Sequence, residues 1–387
     1  MSNLQKRCES RLEELKESNN LREISSISIE NHNRIINDGK EFINLSSNNY
    51  LGLAYRKDLI KEFNKYIKEN KIDDYFSSTS SRLLTGTNVI CTRLESKIAD
   101  AYGKSGALLY NSGYHANTGI LSALTSKTDL IIADKFVHAS IIDGTRMSKA
   151  HFLRFKHLDY NHLREILLQH RDEYNNVFIV TESIFSMDGD VADIQQLVDI
   201  KQEYDAFLYV DEAHALGTRG VSGLGICEEQ VCIENVDFIV GTFGKAIASV
   251  GAFVVCDDLY KQYLINNSRS LIYTTALPPI NIAWSEFIFD KLLFFNKERE
   301  YLNEISEYVR LSLNIKGVKT KGSSNIIPII IGSNKDCIEV CDRIKDEYFF
   351  VQAIKHPTVP KGSARIRLSL NADIDKKDID RFLSLID

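Results

Sequence analysis

The sequence has no long apolar run, no paired cysteine motif and little proline. It contains only 5 prolines in 387 residues, and with 44% apolar and 26% charged residues its composition is that of an ordinary globular protein. Its longest apolar runs, such as Ile326–Ile331, are as long as a strand and far shorter than a membrane span. We therefore expect no membrane partner.

The seven cysteines are odd in number, and no two of them have the Cys-x-x-Cys spacing. Cys337 and Cys341 are one helical turn apart and could bind a metal in principle, but no histidine lies beside them. We expect reduced structural thiols and no metal. The net charge of −6 argues against a nucleic-acid partner, and the polar first residues contain no apolar signal segment, so we expect a cytoplasmic protein.

The length predicts more than one domain. Residues 1 to about 24 alternate charges and leucine at helical spacing and predict an amphipathic helix within an N-terminal arm, residues 1–50. Residues 51–276 are expected to form a large cofactor-binding domain. After Leu277-Pro278-Pro279, a long helix near 281–313, followed by mixed strands and helices, predicts a smaller α+β domain over 277–387.

Between residues 105 and 256, short apolar runs alternate with helical stretches such as Leu163–His170 and Ile194–Tyr204. Strands without polar alternation indicate a sheet that is covered on both faces, and alternating strands and helices indicate a mostly parallel α/β sheet. The predicted strands are Ala107–Tyr110, Leu130–Ala133, Phe152–Phe155, Val177–Thr181, Phe207–Val210, Phe238–Val240 and Ala252–Val255.

An acid and a lysine follow two of these strands. Asp211 ends the run Phe207–Val210, and Lys245 follows a strand that we expect to break at Gly241. Pyridoxal phosphate (PLP) enzymes need this pair, because the lysine forms a Schiff base with the aldehyde and the acid holds the pyridine nitrogen protonated. The alternative for Lys245 alone is an ordinary turn lysine. A nucleotide-binding loop is excluded, because Ile239 and Ala246 stand where its glycine and hydroxyl residue are required.

Further polar residues follow other predicted strands. Gly113 opens a helix after a strand, where backbone N–H groups can bind a phosphate. Ligands of open α/β sheets bind beyond the carboxyl ends of the strands, so several strand ends would supply one crevice. Each of these residues alone could be an ordinary turn or surface residue. The hypothesis of a ligand site depends on several strand ends meeting at one crevice. The other candidates at this edge are His138, Glu182, Ser186 and His214.

Two arginines, Arg365 and Arg367, alternate along a predicted strand. Arginine is the usual bidentate partner of a carboxylate, so either residue could bind one. The alternative, which is the commoner meaning of an Arg-x-Arg pattern, is a charged strand at the edge of a sheet.

Together these motifs resemble the α-oxoamine synthase family over nearly the whole chain from about Leu21. The resemblance rests on Ser47–Leu53, Asn111–Asn117, Glu182–Gly189, Asp211–His214, Thr242–Lys245 and Pro357–Leu368. It implies a PLP-dependent transferase of fold type I, with a large domain built on a mostly parallel sheet and a smaller α+β domain. It also implies an enzyme that condenses an amino acid with an acyl thioester and releases CO2.

By position, the resemblance implies catalytic roles for three residues. Lys245 would hold PLP, Asp211 would pair with the pyridine nitrogen, and His138 would stack on the ring. A homodimer is implied, because Thr275 matches a position that reaches the partner subunit's phosphate. The other cofactor contacts would come from Gly113, Tyr114, Glu182, Ser186, His214 and Thr242.

Four residues match substrate-side positions of the family. Arg367 would bind the amino-acid carboxylate, with Asn48 and Ser81 beside the substrate, and Arg22 would meet a distal carboxylate of the acyl chain. The motif Ser80–Gly86 resembles the alanine-using, biotin-pathway branch more than the glycine-using branches. The glycine-using branches and a serine-using branch remain alternatives. Acyl chain length and the choice between a coenzyme A and a carrier-protein donor stay open. A catalytically inactive subunit is disfavoured because Lys245 is present.

Overall fold

The computed structural model describes residues 1–31, 33–72 and 75–386. In these ranges the strands, numbered in chain order, are β1 (Ile27–Asn31), β2 (Arg34–Asn37), β3 (Lys40–Asn44), β4 (Gly106–Tyr110), β5 (Leu130–Asp134), β6 (His151–Phe155), β7 (Val177–Glu182), β8 (Phe207–Asp211), β9 (Phe238–Thr242), β10 (Ala252–Cys256), β11 (Ile326–Gly332), β12 (Phe349–Phe350), β13 (Ala353–Ile354) and β14 (Ala364–Ser369).

The helices are numbered in the same way. They are α1 (Asn3–Glu17), α2 (Lys57–Glu69), α3 (Val89–Ala101), α4 (Gly113–Leu124), α5 (Ala139–Met147), α6 (Tyr160–His170), α7 (Ile194–Glu203), α8 (Ile226–Glu229), α9 (Asp258–Asn267), α10 (Arg269–Ile272), α11 (Pro279–Phe289), α12 (Asn296–Ile315), α13 (Asn334–Asp346) and α14 (Lys376–Ser384).

The chain packs as two compact units. The large unit comprises Arg56–Ser186 and Val191–Arg299, and the small unit comprises Met1–Tyr55, Met187–Asp190 and the chain from Glu300 onward. Packing therefore groups the N-terminal residues with the C-terminal ones, which a linear reading of the sequence does not reveal. The functional division into residues 1–50, 51–276 and 277–387 stays a prediction.

The large unit is built on a seven-stranded sheet with the order β4-β10-β9-β8-β7-β5-β6. Strand β10 is antiparallel to both of its neighbours, β4 and β9, and the pairs from β9 to β6 are parallel. Every residue of β4, β5, β9 and β10 is buried, as expected for apolar strands covered on both faces. The predicted mostly parallel sheet is confirmed, and its strands extend one or two residues beyond the predicted ends.

Polar side chains begin the helices that follow these strands. The Ser112 hydroxyl accepts a hydrogen bond from the backbone N–H of His115 at the start of α4. The Asp193 carboxylate accepts one in the same way from Gln196 at the start of α7. Such caps satisfy N–H groups that have no partner inside the helix, and they fix where each helix begins.

The expected strand break at Gly241 is wrong. Strand β9 continues to Thr242, and Gly241 pairs with Phe253 of β10. A Cβ atom on Gly241 would lie 2.3 Å from Cζ of Phe253. The glycine is therefore required by close packing of an aromatic ring on the strand, and not by a turn.

Replacing Gly241 with alanine should destabilise the large unit by about 1–3 kcal/mol, because a methyl group would overpack the site against the Phe253 ring. Denaturant unfolding of the variant would measure this loss. Gly244→Ala is the matched control, since its Cβ would meet its nearest neighbour at 3.6 Å, an ordinary contact. An equal loss in both variants would contradict the packing explanation.

The small unit contains two sheets. In the first, β1, β2 and β3 are antiparallel and β12 adds parallel to β3; in the second, β14 lies between β11 and β13. The predicted strands near 326–331 and 364–370 are confirmed as β11 and β14.

Two helix predictions need correction. The N-terminal helix was expected to extend to about residue 24 but ends at Glu17, because Asn19 adopts a left-handed conformation with φ of 54°. None of the residues of this helix is buried. The single helix expected near 281–313 is two helices, α11 and α12, joined by a 3₁₀ turn at Leu292–Phe295. This turn allows Leu292 and Phe295 both to be buried. No helix among the described residues is long and apolar enough to cross a membrane.

Candidate active site

A cavity of about 170 Å³ opens within the large unit at the carboxyl edge of the parallel strands. Eight predicted site residues line it, and three further lining residues, Asn117, Ser140 and Ala213, were not predicted. The eight are Gly113, Tyr114, His138, Glu182, Asp211, His214, Thr242 and Lys245. The convergence expected from the separate strand ends is therefore present in the fold.

The strand register explains why these side chains meet. Glu182 at the end of β7 pairs with Asp211 at the end of β8, and Asp211 pairs with Val240 of β9. Parallel strands in this register end at the same edge of the sheet, so the residues that end them or follow them share one crevice. Lys245 follows β9 by three residues and reaches the same crevice.

The Lys245 amine contacts the His214 ring. Its Nζ atom lies 2.8 Å from Nε2 of His214, and Lys245 is half-buried. A primary amine at the edge of a cavity, oriented by an imidazole, can bond covalently to an aldehyde and can transfer a proton.

Asp211 is held by a hydrogen-bond network that includes a residue missed by the sequence analysis. Its Oδ2 accepts from Nδ2 of Asn117 and its Oδ1 from the backbone N–H of Ala213, both at 2.8 Å. Burial keeps the pKa of Tyr209 well above its ordinary value, so its hydroxyl stays a donor to Oδ1 of Asn117 at 2.6 Å. This bond turns the amide nitrogen of Asn117 towards Asp211. A signal existed, because Asn117 lies one helical turn after Gly113.

His138 is fixed in one tautomer. Its Nδ1 accepts from the backbone N–H of Ser140 at 3.2 Å and lies 2.7 Å from the Ser140 hydroxyl. Burial lowers the pKa of His138, and the Asp211 carboxylate partly offsets this effect. The ring is therefore uncharged at neutral pH, with its proton on Nε2.

The start of helix α4 can bind a phosphate. Gly113 is its first residue, and a Cβ atom there would lie 3.8 Å from Cβ of Thr242, so the helix N-terminus and Thr242 flank one space. The Thr242 hydroxyl donates to the carbonyl of Gly251 at 3.0 Å and accepts from the N–H of Gly244 at 3.3 Å. N–H groups at a helix start attract anions.

The donor set of the cavity fits PLP. Lys245 supplies the amine for its aldehyde, Asp211 an anion for its ring nitrogen, and the start of α4 the N–H groups for its phosphate. Ser186 and Thr275 do not line the cavity. Thr275 is exposed and forms a bridge with Ser81, next to a single π-helical turn at Arg82–Gly86. The cofactor roles of these residues stay predictions.

In the small unit, the two arginines of β14 have different environments. Arg365 forms a buried ion pair with Asp188. Arg367 donates to Oδ1 of Asn48 at 3.2 and 3.3 Å and to the hydroxyl of Tyr50 at 3.4 Å. Arg365 therefore has a structural partner, and Arg367 remains the candidate for binding a carboxylate.

Arg22 is exposed, and its Nη2 atom donates to the Thr358 hydroxyl at 3.2 Å. Thr358 has no role predicted from the sequence, although it lies in the motif Pro357–Leu368. The contact brings two segments of the small unit together that are distant in the sequence.

Comparisons with known proteins agree with this geometry. The profile of the aminotransferase class I and II family matches residues 40–386. A putative 8-amino-7-oxononanoate synthase of Haemophilus influenzae is 45% identical over 97% of this chain and 98% of its own length. An 8-amino-7-oxononanoate synthase of Chlorobaculum parvum is 46% identical over 89% of each chain.

A solved structure of a serine palmitoyltransferase variant from S. paucimobilis with a bound PLP–myriocin aldimine superposes with a TM-score of 0.90. It is 27% identical, and the match covers 100% of this chain and 97% of the other. The chain therefore belongs to the aminotransferase class I and II family of PLP-dependent enzymes and, within it, to the α-oxoamine synthases.

Proposed function

We propose that this enzyme condenses L-alanine with a pimeloyl thioester, releasing CO2 and a free thiol, to give 8-amino-7-oxononanoate. The observation that carries the proposal is the meeting of Lys245, His214 and Asp211 in one cavity, in a chain whose curated relatives at 45–46% identity bear that enzyme's name.

Each part of the cavity has a defined task in this proposal. PLP, when bound, withdraws electrons from the amino-acid carbon that loses its proton. Lys245 holds the cofactor and accepts that proton at Nζ, while His214 at 2.8 Å orients the amine. Asp211, fixed by Asn117 and Ala213, keeps a negative charge beside the ring nitrogen. The N–H groups at Gly113 and Tyr114, with Thr242, hold the phosphate.

Substrate binding is assigned to other residues. Arg367 would hold the alanine carboxylate through its guanidinium group, with Asn48 beside it. Ser81 would lie near the substrate. Thr275 is exposed, as a residue that reaches a partner subunit must be, and we therefore include a homodimer in the proposal. The proposal also includes a cytoplasmic location and the division of the chain into residues 1–50, 51–276 and 277–387.

The main alternative is another α-oxoamine synthase that uses glycine or serine. The serine palmitoyltransferase fold match favours the common architecture, but its sequence identity is well below that of the curated relatives. The presence of Lys245 in the cavity lining argues against an inactive subunit, because such a subunit should lack the Schiff-base lysine.

A substrate panel tests the proposal. The purified enzyme is incubated with alanine, glycine or serine and with pimeloyl, succinyl, acetyl or palmitoyl thioesters, and thiol and CO2 release are followed. Release only with alanine and a pimeloyl donor is the expected result. Preference for another pair would replace the substrate assignment and leave the cofactor chemistry intact.

Arg22→Ala tests the distal carboxylate of the acyl donor. If Arg22 binds this carboxylate, its loss should remove a contact worth about 1.5–3 kcal/mol, which is roughly a ten- to hundredfold fall in kcat/KM. The fall should affect a dicarboxylic donor and spare a monocarboxylic donor of equal length, with alanine held saturating.

The control for this experiment is Arg7→Ala, which also removes an exposed arginine but one that lies in helix α1. An exposed arginine without a substrate role should cost well under about 1 kcal/mol. An equal fall for both donors in Arg22→Ala would reject the carboxylate contact, and the resemblance of Ser80–Gly86 would then be the remaining sequence support for the acyl donor.

A further inference from the structure

Two carboxyl groups lie side by side at the edge of the sheet. Glu182 ends β7 and Asp211 ends β8, and the two residues are partners in the parallel register. Both are buried, with Glu182 only 3% exposed, and both line the cavity. Two carboxylates buried on adjacent strand ends in one cavity repel each other, so the protein environment decides which one carries the charge.

The hydrogen bonds favour a charge on Asp211. Its two oxygen atoms accept from Asn117 and from Ala213. On Glu182, the backbone N–H of His138 bonds to the carboxyl group, while Oε1 is buried and has no hydrogen-bond partner among the described residues. A charged oxygen without a donor is far more costly to bury than a neutral one.

Burial and the charged groups around Glu182 on balance also favour its uncharged form. Burial has the largest effect and raises the pKa of Glu182 well above its ordinary value. The carboxylates of Asp211 and Asp134 raise it further, and the Lys245 ammonium and the hydrogen bond from the backbone N–H of His138 oppose them. His138, whose own pKa is lowered by burial, adds no positive charge at neutral pH.

We propose that Glu182 is a positioning residue for His138 that remains an uncharged carboxylic acid while the adjoining Asp211 carries the negative charge. Its carbonyl oxygen accepts the backbone N–H of His138, and Ser140 holds Nδ1 of the same residue. The first bond holds the backbone of His138 and the second holds its ring, so together they place this residue at the cavity wall. A neutral Glu182 also leaves Asp211 as the single anion of this pair beside the cofactor's ring nitrogen, a consequence that rests on the proposed function.

Infrared spectroscopy of the cofactor-free protein tests the charge state. The difference spectrum of wild type minus Glu182→Gln at neutral pH should contain the C=O stretching band of a protonated carboxylic acid. Glu212→Gln is the matched control: burial raises the pKa of Glu212 as well, but its oxygens accept hydrogen bonds from the Ser183 hydroxyl and from the backbone N–H groups of Ile226 and Cys227, which oppose that effect. Its difference spectrum should show the bands of an ionised carboxylate. A carboxylate signal lost with Glu182 would overturn the proposal.

The pH dependence of stability gives an independent test. A Glu182 that is protonated in the folded state and ionised in the unfolded state loses stability as pH rises above its unfolded pKa, near 4.5. The unfolding equilibrium constant of wild type relative to Glu182→Gln should therefore increase by up to about tenfold per pH unit above that value. An unchanged ratio between pH 5 and 8 would reject the neutral acid.

The positioning role is tested by PLP binding. Glutamine retains a neutral carbonyl acceptor for the His138 N–H, so Glu182→Gln should keep the Kd for PLP within about threefold of wild type. Glu182→Ala removes the acceptor, so His138 is no longer held at the cavity wall before PLP binds, and the added cost of ordering it should raise Kd about tenfold. If glutamine binds PLP as poorly as alanine, the charge is required and the proposal is wrong. If alanine prevents folding, the glutamine measurements decide the outcome.

Discussion

Replacing Lys245 with alanine should abolish turnover, with a fall in kcat of at least about a thousandfold, because one amine both holds the cofactor and moves the substrate proton. The geometry behind this expectation is the 2.8 Å contact between Nζ of Lys245 and Nε2 of His214 at the cavity wall. The phosphate and ring contacts are independent of the amine, so the variant should still bind PLP without a covalent link.

Borohydride reduction followed by peptide mass spectrometry measures this loss directly. Wild-type protein should carry the reduced cofactor on the peptide that contains Lys245, and the variant should carry none. Lys65→Ala, which removes an exposed lysine that pairs with Glu69 on α2, should retain both the label and the activity. A label on another lysine in the Lys245 variant would show that the assignment is wrong.

Asp211→Asn should retain PLP but lose about a hundredfold in kcat. The substitution removes the charge beside the ring nitrogen and leaves the start of α4 unchanged. Deleting one partner of a buried charge pair costs about 3 kcal/mol or more, and about 3 kcal/mol in the barrier corresponds to roughly a hundredfold in rate. Stopped-flow or steady-state measurement of kcat, with alanine and thioester saturating, gives the result.

Asp134→Asn is the matched control for this variant. Asp134 ends strand β5, which is separated from β8 by β7 in the same sheet, and it is fully buried. Its oxygens are used by His157 and by the backbone N–H groups of Phe136 and Leu158. Its replacement should lower stability and leave kcat nearly unchanged. If Asp211→Asn keeps more than about half of the wild-type kcat, Asp211 does not supply the required charge.

The apolar pattern of the sequence predicted the sheet well, because burial of both faces of a strand is visible in that pattern alone. Apolar runs without polar alternation, such as the run that became β8, are favourable only where both faces of a sheet are covered. Their parallel order then brings their carboxyl ends to one edge, so the sequence alone was sufficient to assign Asp211 and Lys245 to one crevice.

Predictions that required knowledge of neighbouring segments were less successful. The break expected at Gly241 does not exist, because the ring of Phe253 on the next strand demands the glycine. The long helix expected near 281–313 is interrupted so that Leu292 and Phe295 can both be buried. In each case the local pattern was compatible with two structures, and a contact distant in the sequence selected one of them.

The sequence by itself determined the fold class, the family resemblance and the residues able to carry PLP chemistry, because these depend on residue type and periodicity. Only the tertiary structure distinguished Arg365, which pairs with Asp188, from Arg367, and only it joined Asn117 to Asp211. It also set Glu182 beside Asp211 with different hydrogen-bond partners. Charge state and partnership depend on burial and on distances between remote segments, and folding alone creates those distances.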